Sequence, residues 1–107
     1  MYMDKLVLYP IKSDKVDVLR GWLEKLDGEL REEAEATLGP EGVERERWWV
    51  CEIDGTHYVA ILEDRFRERS KDYESDFDID EKHFSILREC LKKGAVGELV
   101  CDLRRTE

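Results

Sequence analysis

Long apolar runs are missing from this sequence: nothing approaches the roughly 18 consecutive apolar residues of a membrane-spanning helix. The chain opens Met1-Tyr2-Met3-Asp4-Lys5 directly into a strand-like run, without the basic and apolar blocks of a secretory leader. A cytoplasmic protein with no membrane partner is expected. Cysteine is sparse as well. Cys51, Cys90 and Cys101 are widely and irregularly spaced inside apolar segments, unlike zinc-binding pairs or a secreted disulfide framework, and are expected as buried reduced thiols. Basic charge is in deficit: 18 Lys and Arg against 27 Asp and Glu leave a net charge of −9. The densest basic stretch, Arg65 to Lys71, is interrupted by Glu68 and flanked by acids, so it reads as a solvated face. A nucleic-acid partner is therefore not expected.

Catalytic signatures are equally scarce. There is no glycine-rich turn to cradle a phosphate, no serine in a nucleophile elbow and no His/Cys cluster with zinc spacing. Asp76, Asp78 and Asp80 are spaced like the start of a calcium loop, but Glu81 replaces the glycine such a loop requires and Leu87 stands where its closing glutamate belongs. No metal site and no cofactor are implied.

What the chain does contain is a single-domain supply of apolar residues, 41% of 107, organised in periodic blocks and expected to form one domain over residues 1–107. Lys5 to Ile11 reads as a first strand covered on both faces. Ser13 is placed to cap a long amphipathic helix on which Val16, Leu19, Leu23, Leu26, Leu30 and Leu38 recur until Gly39-Pro40, with Gly21 and Gly28 as points of kinking or fraying.

Asp54-Gly55 suits the positive φ angles of a type I′ turn between two strands, Val43 to Ile53 and Thr56 to Glu63. A two-residue loop there sets Ile53 opposite Thr56, Glu52 opposite His57, Cys51 opposite Tyr58, Val50 opposite Val59, Trp49 opposite Ala60 and Trp48 opposite Ile61. Trp48, Val50, Val59 and Ile61 then share the face expected to meet the helices, and Trp49, Cys51, Tyr58 and Ala60 share the other. Asp64 to Asp78, polar with Phe66, Tyr73 and Phe77 spaced along it, reads as a short irregular helix followed by a loop. Asp80, with Ile79 and Phe84 as a hydrophobic staple, is placed to cap a second main helix running to Gly94, and Gly97 to Arg104 reads as the last strand.

The order is strand, helix, strand, strand, helix, strand: an α+β, ferredoxin-like βαββαβ unit, with a four-stranded antiparallel sheet and both helices on one face. The uncovered face needs a partner, and a second copy of the chain is the simplest. Trp49, Cys51, Tyr58 and Ala60 are the expected homodimer interface.

With Ile11-Lys12 ending the first strand, Lys15-Val16-Asp17-Val18-Leu19 opening the first helix, the Trp48-Trp49 pair, and Ile79-Asp80-Glu81-Lys82-His83 opening the second, the chain resembles the dimeric α/β-barrel superfamily of antibiotic-biosynthesis monooxygenases. Its resemblance is closer to a small family of unknown function within that superfamily. The haem-degrading members use an asparagine on the first strand, a tryptophan and a helical histidine; here that strand has no asparagine, Phe66 stands where a tryptophan is expected, and His83 alone matches. The resemblance implies a dimeric α/β barrel and a pocket between sheet and helices.

His83, near a helix N-terminus that favours a neutral imidazole, is the candidate catalytic residue. Trp22, Trp48, Tyr9 and Tyr58 are candidate ligand-binding residues for an apolar small molecule. His57, opposite Glu52, is explained by a cross-strand pair. Three functions follow as expectations: a small-molecule binding module, a cofactor-free monooxygenase-like or isomerase-like enzyme with His83 as base, or a structural or interaction domain without a ligand.

Overall fold

The computed structural model describes residues 3–106. It contains β1 (Met3–Pro10), α1 (Val16–Asp27), α2 (Arg31–Ala36), α3 (Leu38–Glu41), β2 (Val43–Ile53), β3 (Thr56–Arg65), α4 (Asp78–Cys90) and β4 (Ala95–Val96). The four strands form one sheet in the order β2-β3-β1-β4, and every neighbouring pair is antiparallel. The result is a mixed α+β architecture built on an open antiparallel sheet.

The β2–β3 hairpin carries the register read from its turn: all six pairs from Ile53–Thr56 to Trp48–Ile61 are present. Asp54 at φ 49° and Gly55 at φ 83° give the two positive φ angles the turn demands. Because side chains alternate across a strand, this register sends Trp48, Val50, Val59 and Ile61 to one face. There they pack with Leu19, Val16 and Leu23 of α1 and with Cys90, Ile86 and Leu87 of α4. Leu19, Val59 and Cys90 are fully buried and mark the centre of the core. Ile11 extends the layer past β1, bridging to Leu91 after α4, with its own N–H on the His57 carbonyl at 2.8 Å.

Several boundaries depart from the sequence expectation. The long first helix is three pieces, because Gly28 ends α1 and the Leu30 N–H returns to the Lys25 carbonyl at 2.8 Å. Ser13 does not cap α1: Lys15 occupies that position, with no side-chain bond to the helix. Asp80 is not a cap either. The helix starts two residues earlier, and Asp80, buried in its first turn, accepts a 2.5 Å bond from the Ser75 hydroxyl, which itself accepts the Phe77 N–H at 3.1 Å. The helix ends at Cys90 rather than running to Gly94.

The strand expected over Gly97–Arg104 is absent. Pairing with β1 stops after Ala95 and Val96, and residues 97–106 are exposed and irregular. Of the three cysteines only Cys90 is buried; Cys51 and Cys101 are exposed, and all three are free. Cys51 is exposed because its face of the sheet lies opposite the helices, and Cys101 because its strand does not form. For the same reason β1 is covered on one face only: Val7 is buried, while Leu6 and Leu8 are 46% and 41% exposed.

Candidate functional site

On the helix side the sheet and helices do not close completely, leaving an open cleft of about 1390 Å³ lined by Tyr9, Leu23, Glu46, Trp48, Ile61 and His83 among others. That exceeds the roughly 300–1,000 Å³ of typical small-molecule sites, and its breadth makes it a cleft rather than a closed pocket.

His83 lies in the second turn of α4, not in its first three residues, so the helix dipole is not its main influence. It is half-buried within an aromatic enclosure. The Trp22 indole N–H, reaching across from α1, donates to Nδ1 at 2.9 Å. Trp48 of β2 meets the imidazole edge-on at 5.4 Å between ring centroids, and Phe84 tilts against it at 5.6 Å. Burial pushes the imidazole pKa below 6.5, and the Asp80 carboxylate opposes this only in part. The ring is therefore neutral at physiological pH. With Nδ1 accepting from Trp22, its proton sits on Nε2, which has no protein partner among the described residues.

Trp48 joins His83 to a second titratable group, its indole N–H donating to Glu46 Oε1 at 2.7 Å. Glu46 stands directly opposite Glu63 in the hairpin. Two carboxylates in that position repel unless they share a proton. Burial, then the neighbouring Glu63 and Glu41 carboxylates, push Glu46 up to about 7, against the lowering effect of the Trp48 N–H. Glu63 is held by the buried Arg65, whose Nη1 lies 3.2 Å from it and whose Nη2 donates to the Glu41 carbonyl at 2.6 Å. The cleft thus presents a neutral imidazole, an indole and a carboxyl that titrates near neutrality.

Of the residues singled out from sequence, His83, Trp22, Trp48 and Tyr9 come together here: Trp22 buried behind the imidazole, Trp48 and Tyr9 in the cleft wall. Tyr58 does not. It points to the opposite face with Trp49, Cys51 and Ala60, where Trp49 is 48% exposed. Glu46 and Glu63 were not anticipated, although extending the hairpin register two steps beyond Trp48 would have set them opposite each other. His57 pairs with Glu52 at 3.6 Å, as its position across the hairpin implied. Among the described residues no group of three or more His, Cys, Asp or Glu side chains is arranged to hold a metal ion, and no helix is long and apolar enough to cross a membrane.

A single-layer antiparallel sheet with helices over one face and an aromatic cleft between them defines a small α+β domain. Over residues 4–107 the chain matches the model of a family of unknown function, DUF6176, and belongs to that family. Neither the curated proteins nor the solved structures include a match to it.

Proposed function

We propose that the protein is a small-molecule binding module whose ligand occupies the cleft between the sheet and helices α1 and α4. The observation that carries this reading is the Trp22–His83 hydrogen bond: it uses up Nδ1 and leaves Nε2–H as a free donor among the described residues, on a ring that meets Trp48 in an edge-on arrangement. A ligand with an apolar body and a carbonyl or similar acceptor matches that pairing, because a buried donor rewards an acceptor and penalises its absence.

The second reading is an enzyme of the isomerase or cofactor-free oxygenase kind. Glu46 favours it, since a carboxyl titrating near 7 is suited to moving protons at physiological pH. In that case the roles differ from the expectation of His83 as base. The tautomer held by Trp22 supports His83 as the donor that polarises a carbonyl, and Glu46 as the proton acceptor.

We further infer that the domain is ferredoxin-like, related to the antibiotic-biosynthesis-monooxygenase superfamily, cytoplasmic, and a homodimer that buries its open sheet faces against each other. Support comes from the strand order β2-β3-β1-β4, in which α1 and α4 cover one face while Leu6, Leu8, Trp49 and Ile53 stay 41–56% exposed on the other. Exposed apolar patches of that extent mark interaction surfaces.

The test is a ¹H–¹⁵N NMR screen with neutral aromatic ketones and phenols as probes. Binders should shift the indole N–H signals of Trp22 and Trp48 and the His83 ring signals together, and His83→Ala should weaken them at least tenfold. Binders that leave these signals unmoved, or a screen without binders, would leave the domain as a structural or protein-interaction unit.

A further inference from the structure

The last ten described residues form the least explained part of the molecule. Ala95 and Val96 pair with Leu8 and Val7, the Gly97 N–H bonds to the Leu6 carbonyl at 2.7 Å, and there the pairing stops. Beyond it Leu99, Val100 and Leu103 are 76%, 85% and 89% exposed. The ion pair among these described residues is internal, Arg104 with Asp102 at 3.6 Å. The radius of gyration is 15.0 Å, against about 13 Å for a compact domain of this length.

An apolar arm of this kind is costly in water, at about 25 cal/mol for each Å² of apolar surface left uncovered. The same chain carries an uncovered apolar sheet face. Leu6, Leu8, Trp49 and Ile53 of that face and Leu99 and Leu103 of the arm together expose roughly 700 Å² per protomer at these fractions, close to the about 800 Å² that each partner contributes to a standard interface. A second copy brings both halves of the match, so one exchange satisfies four surfaces.

We propose that residues 98–103 are an exchange arm, each copy laying Leu99 and Leu103 against the open sheet face of the other. This rests on the dimer reading above and deepens it by naming the segment that holds the copies together. The apolar side of the segment read as a strand over Gly97–Arg104 is then covered in the assembly, by a sheet face that the single chain leaves open.

The experiment uses the full chain. Sedimentation velocity on the wild type at 1–100 µM should show a dimer, and a monomer throughout would overturn the dimer and the arm together. Leu99→Asp/Leu103→Asp should raise the dimer dissociation constant at least a hundredfold while far-ultraviolet circular dichroism stays unchanged, because neither side chain is packed in the single chain. A wild-type dimer that this variant leaves equally tight would overturn the arm and keep the sheet-to-sheet contact. Hydrogen exchange separates exchange between copies from folding back: amide protection over 98–103 that grows with concentration supports the arm, and protection independent of concentration overturns it.

Discussion

Trp22 and His83, 61 positions apart, are joined by an indole N–H donated to Nδ1 at 2.9 Å, which locks α1 to α4 over the sheet. One bond thereby sets both the packing of two helices and the tautomer of the only histidine in the cleft. Trp22→Phe keeps an aromatic ring at this buried position, though a smaller one, and removes the donor. The donor stabilises the lone pair of the neutral imidazole, so its loss should raise the His83 pKa. An NMR titration of the ring protons checks this, and an unchanged or lower pKa would show that Trp22 does not set the tautomer. The stability cost should exceed about 1–2 kcal/mol, that of a buried acceptor left without its partner, because the smaller ring also leaves a cavity.

Glu46 and His83 make opposite contributions to stability as pH changes. Glu46 titrates near 4.5 unfolded and about 7 folded, so its contribution is fully present below 4.5 and is lost as pH rises through 7. His83 has a folded pKa below 6.5, so the unfolded chain binds its proton more tightly and stability declines as pH falls below 6.5. The melting temperature should therefore fall between pH 6 and pH 8. Glu46→Gln keeps an acceptor for Trp48 and removes the charge, and it should flatten that fall, adding about 1–3 kcal/mol at pH 8, since the distance from 4.5 to about 7 is worth roughly 3 kcal/mol. Differential scanning calorimetry across this range decides it; a variant as sensitive to alkaline pH as the wild type would mean that Glu46 is already ionised there.

The hairpin was legible because its determinants are local: Asp54-Gly55 fixes the turn, the turn fixes the register, and the register sorts every side chain of two strands. The same register places Trp48 and Val50 on the helix side and Trp49 and Cys51 on the other. The Trp22–His83 bond was not legible, because helix periodicity assigns a face but not a partner 61 residues away. Helix ends failed for a related reason. Ser13 and Asp80 are good capping types, but the tertiary anchors decide: the Lys12 N–H on the Cys90 carbonyl sets where the chain turns into α1, and Ser75 engages Asp80 inside the first turn of α4. The last strand failed because alternation in Leu99, Cys101 and Leu103 records a preference for an extended segment without fixing a neighbour to pair with, and pairing with β1 covers only Ala95 and Val96.

Two glycines should respond in opposite directions to the same change. A Cβ on Gly94 would collide with the Tyr9 ring and the Leu8 carbonyl, so this residue admits the chain to the edge of β1. Gly94→Ala should cost more than about 2 kcal/mol, as overpacking against backbone does. Gly21, inside α1, has nothing within 4 Å of that position, and Gly21→Ala should stabilise by about 0.5–1 kcal/mol through helix propensity. Urea denaturation of both variants measures the contrast, and a neutral Gly94→Ala would mean that β1 and the segment after α4 do not meet as closely as described.

Trp49 separates the fold of the single chain from its association. It lies on the face opposite the helices at 48% exposure, with the Arg47 guanidinium 5.5 Å from its ring centroid, so the single chain gains little from burying it. In a sheet-to-sheet dimer it becomes a central aromatic anchor, the type of residue whose truncation commonly costs 2 kcal/mol or more of binding, about 30-fold in affinity. Trp49→Glu adds a desolvated charge to that loss and should give a monomer at 10 µM that keeps its circular dichroism spectrum. His57→Ala, near the hairpin tip and paired only with Glu52, should leave association unchanged. Light scattering on the two variants beside the wild type is the measurement: equal dissociation by both would point to a general loss of fold, and a Trp49→Glu protein as dimeric as the wild type would place the interface on some other surface.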